Sequence, residues 1–376
     1  MRIGIEAQRI FRKKKHGMDI VSLELIKALQ QIDLTNEYFI FVKKGEDTCL
    51  QASRNFHIIE VPGFTYADWE QVFLPLYALR YRLDVLHCTS NTAPVLSPVP
   101  TIVTLHDVIF LEQQQAKSLV KNRYQQLGRI YRKYIVPASL KHTEHIITVS
   151  QYEKERISET LRLQQDEISV VYNAYGSHFL KPDSNKIEVV REKYQLPASY
   201  LFYIGNTDPK KNMPATLQAY ANYVANSHHS LPLVIADVSE PVLLGMLEST
   251  GLMHLRPQIT LTGYVYNTDL PMIYAGAAVF LYPSLRESFG IPLLESMACG
   301  TPVITSSTSA LPEVAGNAAL LVNPTDQNAI TSAINSLLNN YNTRTEYIQK
   351  GLERVKSFSW HISANHLLSI YQRFQA

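Results

Sequence analysis

The segment that most constrains the fold is residues 287–301, which have the sequence ESFGIPLLESMACGT. Pro292 suits the first turn of a helix, where its missing N–H group gives up no hydrogen bond, and Gly300 followed by Pro302 favours a helix end. We therefore predict a short helix from Gly290 to Cys299. The first N–H groups of such a helix form a positive pole that can hold a diphosphate, and the glycine lets that group approach the backbone closely.

Two carboxylates, Glu287 and Glu295, lie eight positions apart, one before and one after this helix start. Carboxylates beside an anion site would repel the anion unless they faced neutral hydroxyl groups, which the two sugars of a nucleotide diphosphate sugar provide. We predict that Glu287 faces the transferred sugar and that Glu295 faces the ribose. The alternative is that Glu287 is a surface loop residue and Glu295 an ordinary charged position on a helix.

The spacing E-x7-E, with Ser288, Phe289 and Gly290 inside it, resembles the donor site of retaining glycosyltransferases of family four. The preceding segments LTGYV and LPMIYAGAAVFLYPS resemble the same family. The resemblance implies an α/β protein of the GT-B fold, in which two Rossmann-like domains face each other across a cleft and a C-terminal helix crosses back to the first domain.

The resemblance also implies three parts: an acceptor-side domain at 1–178, a nucleotide-sugar donor domain at 179–357, and the crossing helix at 358–376. The polar segment from Gly176 to about Pro197 is predicted to be the linker. Short apolar runs predict parallel strands in both domains. The strands that end beside candidate site residues are Arg2 to Ala7, Thr101 to His106, Tyr200 to Gly205 and Val279 to Tyr282.

His106 is the main candidate site residue of the first domain, because it ends a strand where open α/β sheets bind ligands. Its ring can bond the sugar or the acceptor hydroxyl while Asp107 fixes it, or it can simply be a satisfied histidine at a strand end. The family resemblance favours a positioning role in catalysis. The resemblance also places Gly17 near the donor phosphates. However, this chain has His16-Gly17-Met18 where the family often has paired glycines, so a helix-entry glycine is the alternative.

In the second domain, the strand Tyr200 to Gly205 is followed by NTDPKKN at 206–212. A lysine at a helix entrance predicts an anion site, because the ammonium can neutralise a leaving diphosphate. The segment resembles the family's phosphate-binding turn, which assigns Lys211 to the phosphates; an ordinary surface lysine pair is the alternative. Many members carry an arginine at the position of Asn206, so either Lys210 compensates or Asn206 itself donates to a phosphate oxygen.

Backbone groups of the loop after the LTG segment contact the nucleotide base in the family, which here implicates Tyr264 and Val265. The predicted donor-binding residues are Gly17, Asn206, Lys210, Lys211, Tyr264, Val265, Glu287, Ser288, Phe289, Gly290, Ile291 and Glu295. The predicted catalytic residues are Glu287, His106 and Lys211. We predict no metal site and no cofactor, with a GDP- or UDP-linked sugar as substrate.

Composition limits the location and the partners. The chain has 376 residues, 46% of them hydrophobic, which suits two domains, and its net charge of +2 gives no general attraction to nucleic acid. Three cysteines without metal-ligand spacing predict neither a zinc site nor a disulfide framework. The first residues lack a signal-peptide pattern, and no apolar run reaches the roughly 18 residues of a membrane span. We therefore predict a cytoplasmic location, with the inner face of the cell membrane as a second option.

Residues 111–142 are the least neutral part of the chain, with seven Lys and Arg residues, three tyrosines and Glu112 as the acid. On a helix they would form a basic face with tyrosines suited to the membrane interface, able to attract anionic headgroups or a lipid-linked acceptor. A solvated helix is the alternative. RNA stacking is disfavoured because no RNA-binding motif accompanies the segment.

These features imply a retaining, metal-independent transferase that moves a hexose to a hydroxyl acceptor, a glycan or lipid-linked glycan, in bacterial surface polysaccharide synthesis. Mannose from GDP-mannose is slightly favoured. The family mechanism implies attack from the leaving-group side, with the diphosphate taking the acceptor proton and Lys211 and the helix start stabilising its charge. The alternatives are a regulatory subunit that binds nucleotide sugar without turnover, favoured by Asn206, and a phosphorylase, for whose pyridoxal phosphate no motif is present.

Overall fold

The computed structural model describes residues 1–13, 15–112 and 123–375. They divide into two compact units. The first contains Met1–Ala174 and the segment from Ser359 onward, and the second contains Tyr175–Phe358. Residues 175–178, which the sequence assigned to the first domain, thus lie in the second unit, and Phe358 also belongs to it.

The first unit is built on a sheet of seven parallel strands in the order β3-β2-β1-β4-β5-β6-β7. The strands are β1 Arg2–Glu6, β2 Glu37–Val42, β3 Phe56–Glu60, β4 Val85–Cys88, β5 Thr101–Thr104, β6 His145–Thr148 and β7 Ile168–Val170. The central strands are short and almost wholly buried, as expected for a sheet covered on both faces. The strand order reverses between β1 and β4, so the loops that follow these two strands diverge. In open α/β sheets, ligands bind in the crevice between two such loops.

Helices flank this sheet. They are α1 Gly17–Ile32, α2 Tyr66–Asp68, α3 Leu74–Arg80, α4 Arg123–Ser139 and α5 Gln151–Leu161, and a π-helical turn Trp69–Phe73 joins α2 to α3. Local signals fix their starts. Asp19 accepts from the backbone of His16 at the start of α1, and Ser150 accepts from the Glu153 N–H at the start of α5, which satisfies donors that have no partner inside the helix.

The second unit repeats the plan with six parallel strands in the order β10-β9-β8-β11-β12-β13. The strands are β8 Leu201–Ile204, β9 Leu233–Ala236, β10 Ile259–Gly263, β11 Val279–Tyr282, β12 Val303–Ser306 and β13 Leu320–Val322. Its helices are α6 Ser184–Lys193, α7 Met213–Ala225, α8 Glu240–Ser249, α9 Leu270–Gly276, α10 Ile291–Ala298, α11 Leu311–Ala315, α12 Gln327–Asn339 and α13 Tyr341–Arg354. Here the order reverses between β8 and β11. The predicted α/β class with two Rossmann-like domains is confirmed.

The predicted linker at 176–197 is wrong in one respect, because it contains α6. Val190 of this helix is buried, and Lys193 and the Tyr194 hydroxyl both bond the Asp269 carboxylate, at 2.6 and 2.8 Å. Its apolar positions are few and lie among charged residues, so the sequence looked like a polar connection. Packing against the start of α9 makes the segment part of the second unit.

The last helix, α14 Trp360–Tyr371, belongs to the first unit, as predicted. Its buried face packs on α1, and the Tyr371 hydroxyl lies 2.6 Å from Nδ1 of His87 in β4. The Ser363 hydroxyl donates to the Tyr172 carbonyl at 2.6 Å. These contacts tie the end of the chain to the sheet that its beginning forms.

The basic segment 111–142 is described only in part, because residues 113–122 lie outside the described residues, including Lys117 and Lys121. From Arg123 the segment is helical, as α4, and Lys133 and Tyr134 are exposed. Tyr131 does not fit the prediction of a tyrosine at the membrane interface. Its hydroxyl donates to the buried carboxylate of Glu70 at 2.6 Å, which turns the ring inward. Among the described residues, no helix is both long and apolar enough to cross a membrane.

Candidate active site

The loops that follow β8 and β11 meet at the switch point of the second sheet. The Leu285 N–H donates to the Lys210 carbonyl at 2.7 Å. The buried side chain of Asn212 donates to the Pro283 carbonyl at 2.9 Å and to the Pro324 carbonyl at 2.7 Å. Asn212 also adopts φ +63°, a left-handed conformation that asparagine tolerates. These backbone links hold the two loops, and the side chains they carry, in one arrangement.

Lys211 and Glu287 form the centre of this arrangement. The Lys211 ammonium donates to Oε1 of Glu287 at 2.7 Å, and the two side chains are only 14% and 11% exposed. Burial raises the pKa of the Glu287 carboxyl, but the ammonium groups of Lys211 and Lys210 outweigh it and hold that pKa below its ordinary value. Glu287 is therefore ionised at neutral pH. The structure thus brings together two of the three predicted catalytic residues.

Tyr282 and Arg286 complete the surroundings of this pair, although the sequence analysis selected neither. The Lys211 ammonium lies 5.0 Å from the centre of the Tyr282 ring and 3.3 Å from its hydroxyl. Arg286 is buried, and its guanidinium lies 3.4 Å from the Glu287 carbonyl. The sequence feature that could have identified Tyr282 is its position as the last residue of a buried strand. Arg286 carries no such signal, because a loop arginine is usually exposed.

The predicted helix after Glu287 is confirmed as α10, Ile291–Ala298, with Gly290 as its N-cap. Gly290 has φ +105°, and a Cβ added there would lie 2.7 Å from Cδ2 of Leu311. The positive φ favours glycine here, and a Cβ would also require the Leu311 methyl group to shift. Pro292 occupies the first turn, as predicted, which leaves the remaining N–H groups of that turn at the positive end of the helix.

Glu295 lies within α10, where the Tyr274 hydroxyl of α9 donates to its Oε2 at 3.1 Å. Burial raises the pKa of the Glu295 carboxyl to about 7, and the single tyrosine hydrogen bond only partly opposes that shift. The two glutamates of the motif therefore differ. Glu287 stays ionised beside a lysine, whereas Glu295 changes its charge near neutral pH.

Asn206 and Lys210 lie in the turn after β8 but are less enclosed than Lys211. Oδ1 of the exposed Asn206 accepts from the Asp208 N–H at 2.9 Å, so the side chain folds back on its own turn. The Lys210 ammonium lies 3.7 Å from the Asp208 carboxylate. These contacts shape the turn, and they leave the Lys210 charge nearer to solvent than that of Lys211.

The other predicted donor residues of this unit are dispersed around the sheet edge. Tyr264 and Val265 follow β10, two strands away from β8, with Tyr264 exposed and Val265 buried. Phe289 is buried against Phe358, with ring centres 5.8 Å apart. Ser288 and Ile291 are half-buried on either side of the Gly290 turn. The side chain of Phe289 therefore anchors the turn.

His106 and Gly17 belong to the first unit. The His106 ring is buried, and burial lowers its pKa; its Nε2 lies 3.0 Å from the Thr89 carbonyl, so Nε2 carries the proton and donates it. The backbone N–H of His106 donates to Asn91 Oδ1 at 2.6 Å. Gly17 is the exposed first residue of α1, and a Cβ there would meet nothing within 4 Å. Nothing within the described fold requires glycine at that position.

Within the described residues, no group of three or more His, Cys, Asp and Glu side chains is arranged as a metal site. The arrangement at the second switch point offers a lysine ammonium, a helix N-terminus and two carboxylates of different charge. Such a set can hold an anion at one place and accept hydrogen bonds from hydroxyl groups beside it.

Comparison with known proteins agrees with this geometry. The family model of the glycosyl transferases group 1 matches residues 187–354, and that of glycosyltransferase family 4 matches residues 16–175. The crystal structure of Anabaena Alr3699/HepE in complex with UDP and glucose superimposes with a TM-score of 0.75, at 13% identity, over 99% of this chain and 100% of that chain. The likeness shows that the fold is the GT-B fold.

Two curated relatives extend the match. The serotype-specific mannosyltransferase WbdA of Escherichia coli is 29% identical over 73% of this chain, which corresponds to 34% of that longer protein. The O-antigen chain mannosyltransferase B of Escherichia coli is 31% identical over 299 residues, covering 79% of this chain and 76% of that protein. This last match, over most of both chains, shows that the chain belongs to glycosyltransferase family 4.

Proposed function

We propose that the protein is a retaining hexosyltransferase that uses a nucleotide diphosphate sugar, with mannose as the sugar and a glycan or lipid-linked glycan of a bacterial surface polysaccharide as the acceptor. The observation that carries the proposal is the Lys211–Glu287 ion pair at the second switch point, directly before the Gly290 helix start. The choice of mannose is supported by the names of the two E. coli relatives, both mannosyltransferases.

In the proposed reaction, the bond between the anomeric carbon and the diphosphate breaks while an acceptor oxygen bonds to that carbon. Lys211 and the positive end of α10 stabilise the charge that develops on the leaving diphosphate. Glu287 holds the transferred sugar by its hydroxyl groups, and Glu295 holds the ribose. The diphosphate oxygen takes the acceptor proton, and the neutral ring of His106 has a positioning role.

We propose that the reaction needs no bound metal ion, because a lysine ammonium and a helix N-terminus can together provide the positive charge that a metal provides elsewhere. The substrate would then be a GDP- or UDP-linked sugar without a further cofactor. Activity that persists in excess EDTA supports this proposal. Activity that is lost on chelation and restored by manganese or magnesium refutes it.

We also propose that α4 brings the first unit to an anionic membrane surface. Leu127, Ile130 and Tyr134 are exposed at helical spacing, with Lys133 beside them. The π-helical turn before α3 packs on α4 through Gln71, whose side chain donates to the Tyr131 hydroxyl at 2.9 Å. The same turn adds the exposed side chain of Val72, and α3 adds those of Leu76 and Leu79. Exposed apolar side chains with basic neighbours are typical of peripheral membrane contacts.

Sedimentation with vesicles tests this contact. The full chain should bind vesicles that contain anionic lipid and should release them in high salt, because the attraction of the basic side chains is screened. Leu127→Gln with Ile130→Gln should weaken binding, whereas Val189→Gln, a change at an exposed apolar position on α6 of the second unit, should not. Equal binding by both variants would exclude α4 as the contact.

The function itself is tested with a panel of nucleotide diphosphate sugars and a hydroxyl acceptor. Release of nucleoside diphosphate identifies the donor, and the anomeric signal of the product in NMR reports retention or inversion. We expect GDP-mannose to be used and the configuration to be retained. Tight donor binding without transfer or donor hydrolysis would instead indicate a regulatory subunit.

A further inference from the structure

The turn between β12 and α11 holds the backbone of Glu287. The Glu287 N–H group donates to the Ser309 hydroxyl at 3.2 Å, and the Ala310 N–H group donates to the Glu287 carbonyl at 3.4 Å. Ser309 has φ +58°, a left-handed conformation that is unfavourable for serine and persists only where the surrounding structure enforces it. The position of Glu287 therefore depends on what holds this turn.

The turn leads directly into α11, which Arg354 holds at its far end. This helix has only five residues, too few to be stable alone in water. Arg354, the last residue of α13, donates from Nε to the Val314 carbonyl at 3.0 Å and from Nη2 to the Glu313 carbonyl at 2.7 Å. These carbonyls lie at the C-terminal end of α11, where acceptors lack partners inside the helix and a positive charge is favourable. Arg354 therefore caps α11 from outside the helix.

Arg354 also reaches the Glu287 segment through two aromatic rings. Its guanidinium carbon lies 4.9 Å from the centre of the Phe358 ring, a cation–π distance. The buried Phe358 ring packs edge-to-face on Phe289, with ring centres 5.8 Å apart. Phe289 follows Glu287 by two positions. One arginine is thus connected to the same glutamate along two separate routes, through α11 and through the aromatic pair.

We propose that Arg354 is a positioning residue for the transfer reaction, because it holds Glu287 where the carboxylate meets Lys211 and the transferred sugar. Arg354 acts through backbone carbonyls and a ring, and Glu287 is the group that contacts the substrate. A shift of about 1 Å in a group that orients the substrate can lower turnover by about a hundredfold. The inference rests on the proposed function, because that function assigns the transferred sugar to Glu287.

Hydrogen–deuterium exchange of the full chain tests the connection without any activity measurement. Arg354→Gln removes the charge from the two bonds to α11, so the amides of Glu287 and Ala310 should exchange at least about tenfold faster through easier local opening. Arg256→Gln is the matched control. Arg256 also donates to a backbone carbonyl of the second unit, that of Ile259 at 2.7 Å, but Ile259 begins β10 at the amino edge of the sheet. It should leave exchange at Glu287 unchanged.

Kinetics below the unfolding temperature test the role in the reaction. Arg354→Gln should lower kcat by about ten- to a hundredfold and should leave binding of free nucleoside diphosphate unchanged, because Glu287 is assigned to the sugar. Arg354→Lys keeps the charge but not the paired donors, so it should recover only part of the turnover. Combining Arg354→Gln with Glu287→Gln should lower turnover little further than Glu287→Gln alone, because both changes affect one contact.

A merely structural arginine would give a different result. If Arg354→Gln lowered the unfolding midpoint but left kcat unchanged, the inference would be wrong, whatever the exchange rates. Fully additive losses in the double variant would also contradict it, because Arg354 would then act elsewhere. Should Arg354→Gln fail to fold, Phe358→Leu decides the matter. It removes the ring contact and should likewise speed exchange at Glu287 and lower kcat.

The result is separable from the proposed function. A protein that transfers no sugar, but whose Glu287 amide exchanges faster in Arg354→Gln, would retain the connection and lose the proposed activity. A protein that transfers sugar normally, with unchanged exchange and kcat in Arg354→Gln, would retain the activity and lose the inference.

Discussion

Each unit places a basic side chain after the first strand of its switch point, but the two side chains are bonded differently. Lys211, after β8, donates a directed bond to a carboxylate that follows the neighbouring strand β11. Arg9, after β1, lies beside Asp19, which comes from the helix that follows the same strand. One pair joins two strand ends and the other stays within one strand–helix connection. In the second unit the charge is held fixed by the sheet, whereas in the first unit Nε and Nη2 of Arg9 have no hydrogen-bond acceptor among the described residues.

The largest expected effect comes from breaking the pair in the second unit. Lys211→Ala should lower turnover by about two to three orders of magnitude, because it removes one preorganised contact to the leaving diphosphate. It should also lower the free energy of unfolding by about 2 to 3 kcal/mol, because the mostly buried Glu287 carboxylate loses its partner. Steady-state kinetics at saturating donor and urea unfolding measure the two effects.

Lys356→Ala is the control for that variant. It breaks a pair with Glu353 in which both side chains are more than two-thirds exposed, at 70% and 73%. An exposed pair contributes within about 1 kcal/mol, so neither stability nor turnover should change appreciably. Unaltered turnover in Lys211→Ala would show that Lys211 has no part in the reaction, and its pair with Glu287 would then be a purely structural feature.

The two loop glycines provide a second comparison. Gly290→Ala should destabilise the second unit by about 1 to 3 kcal/mol, because φ +105° is strained for alanine and the added Cβ would lie 2.7 Å from Leu311. Gly17→Ala should change stability by less than about 0.5 kcal/mol, because its Cβ meets open space. Thermal unfolding of both variants measures this difference.

Gly17→Ala has a second use, because its effect on donor binding is independent of its effect on folding. If the donor phosphates approach this backbone, the variant should raise the KM for donor while the unfolding midpoint stays the same. If both quantities are unchanged, Gly17 is only the first residue of a helix, and phosphate contact in this loop is excluded.

These residues also show how far sequence reasoning extends. The bounds of α10 were predictable because Gly290, Pro292 and Gly300 act locally, through backbone conformation and a missing N–H. The pairing of Lys211 with Glu287 was not, because their contact spans 76 positions and depends on β8 lying next to β11. Only the family resemblance assigns both Lys211 and Glu287 to contacts with the same substrate.

The errors have the same cause. The inward turn of Tyr131 depends on Glu70, which lies 61 positions away in the sequence. The residues next to either one in the sequence do not indicate that the two side chains meet. The helix α6 was missed because its stability comes from contact with the start of α9, whereas its own sequence is mostly polar. The incomplete bonding of Arg9 cannot be derived from sequence at all, since it depends on which acceptors the fold has already used.

A smaller effect is expected from the two glutamates of the motif, whose proposed contacts lie at opposite ends of the donor. Glu295→Gln should weaken binding of free nucleoside diphosphate and intact donor equally, by about 1 to 2 kcal/mol, through loss of the charge-assisted bond to ribose. Glu287→Gln should spare the free nucleotide and lower turnover, because the sugar is no longer held for attack. Equal weakening of the free nucleotide by both variants would contradict the assignment of one carboxylate to each sugar.

The smallest effect is a pH dependence that separates the titrating groups of the two units. Burial lowers the pKa of His106 and so favours its neutral form, whereas the pKa of Glu295 is raised to about 7. If the ribose bonds to the Glu295 carboxylate, donor binding should tighten about ninefold from pH 6 to pH 8, as the ionised fraction rises from about a tenth to about nine-tenths. The intact donor is the suitable probe, because its diphosphate lacks the secondary ionisation near pH 6 of a terminal phosphate.

Stability should change in the opposite direction. The folded protein keeps a proton on Glu295 up to about pH 7, whereas the unfolded chain loses it near pH 4.3, so the free energy of unfolding should fall as pH rises between these values and become level above them. Glu295→Gln should remove both dependences, since the amide does not titrate. If donor affinity in Glu295→Gln still rose with pH as before, another group would control binding, and Glu295 would be a buried acid held by Tyr274 without a role at the ribose.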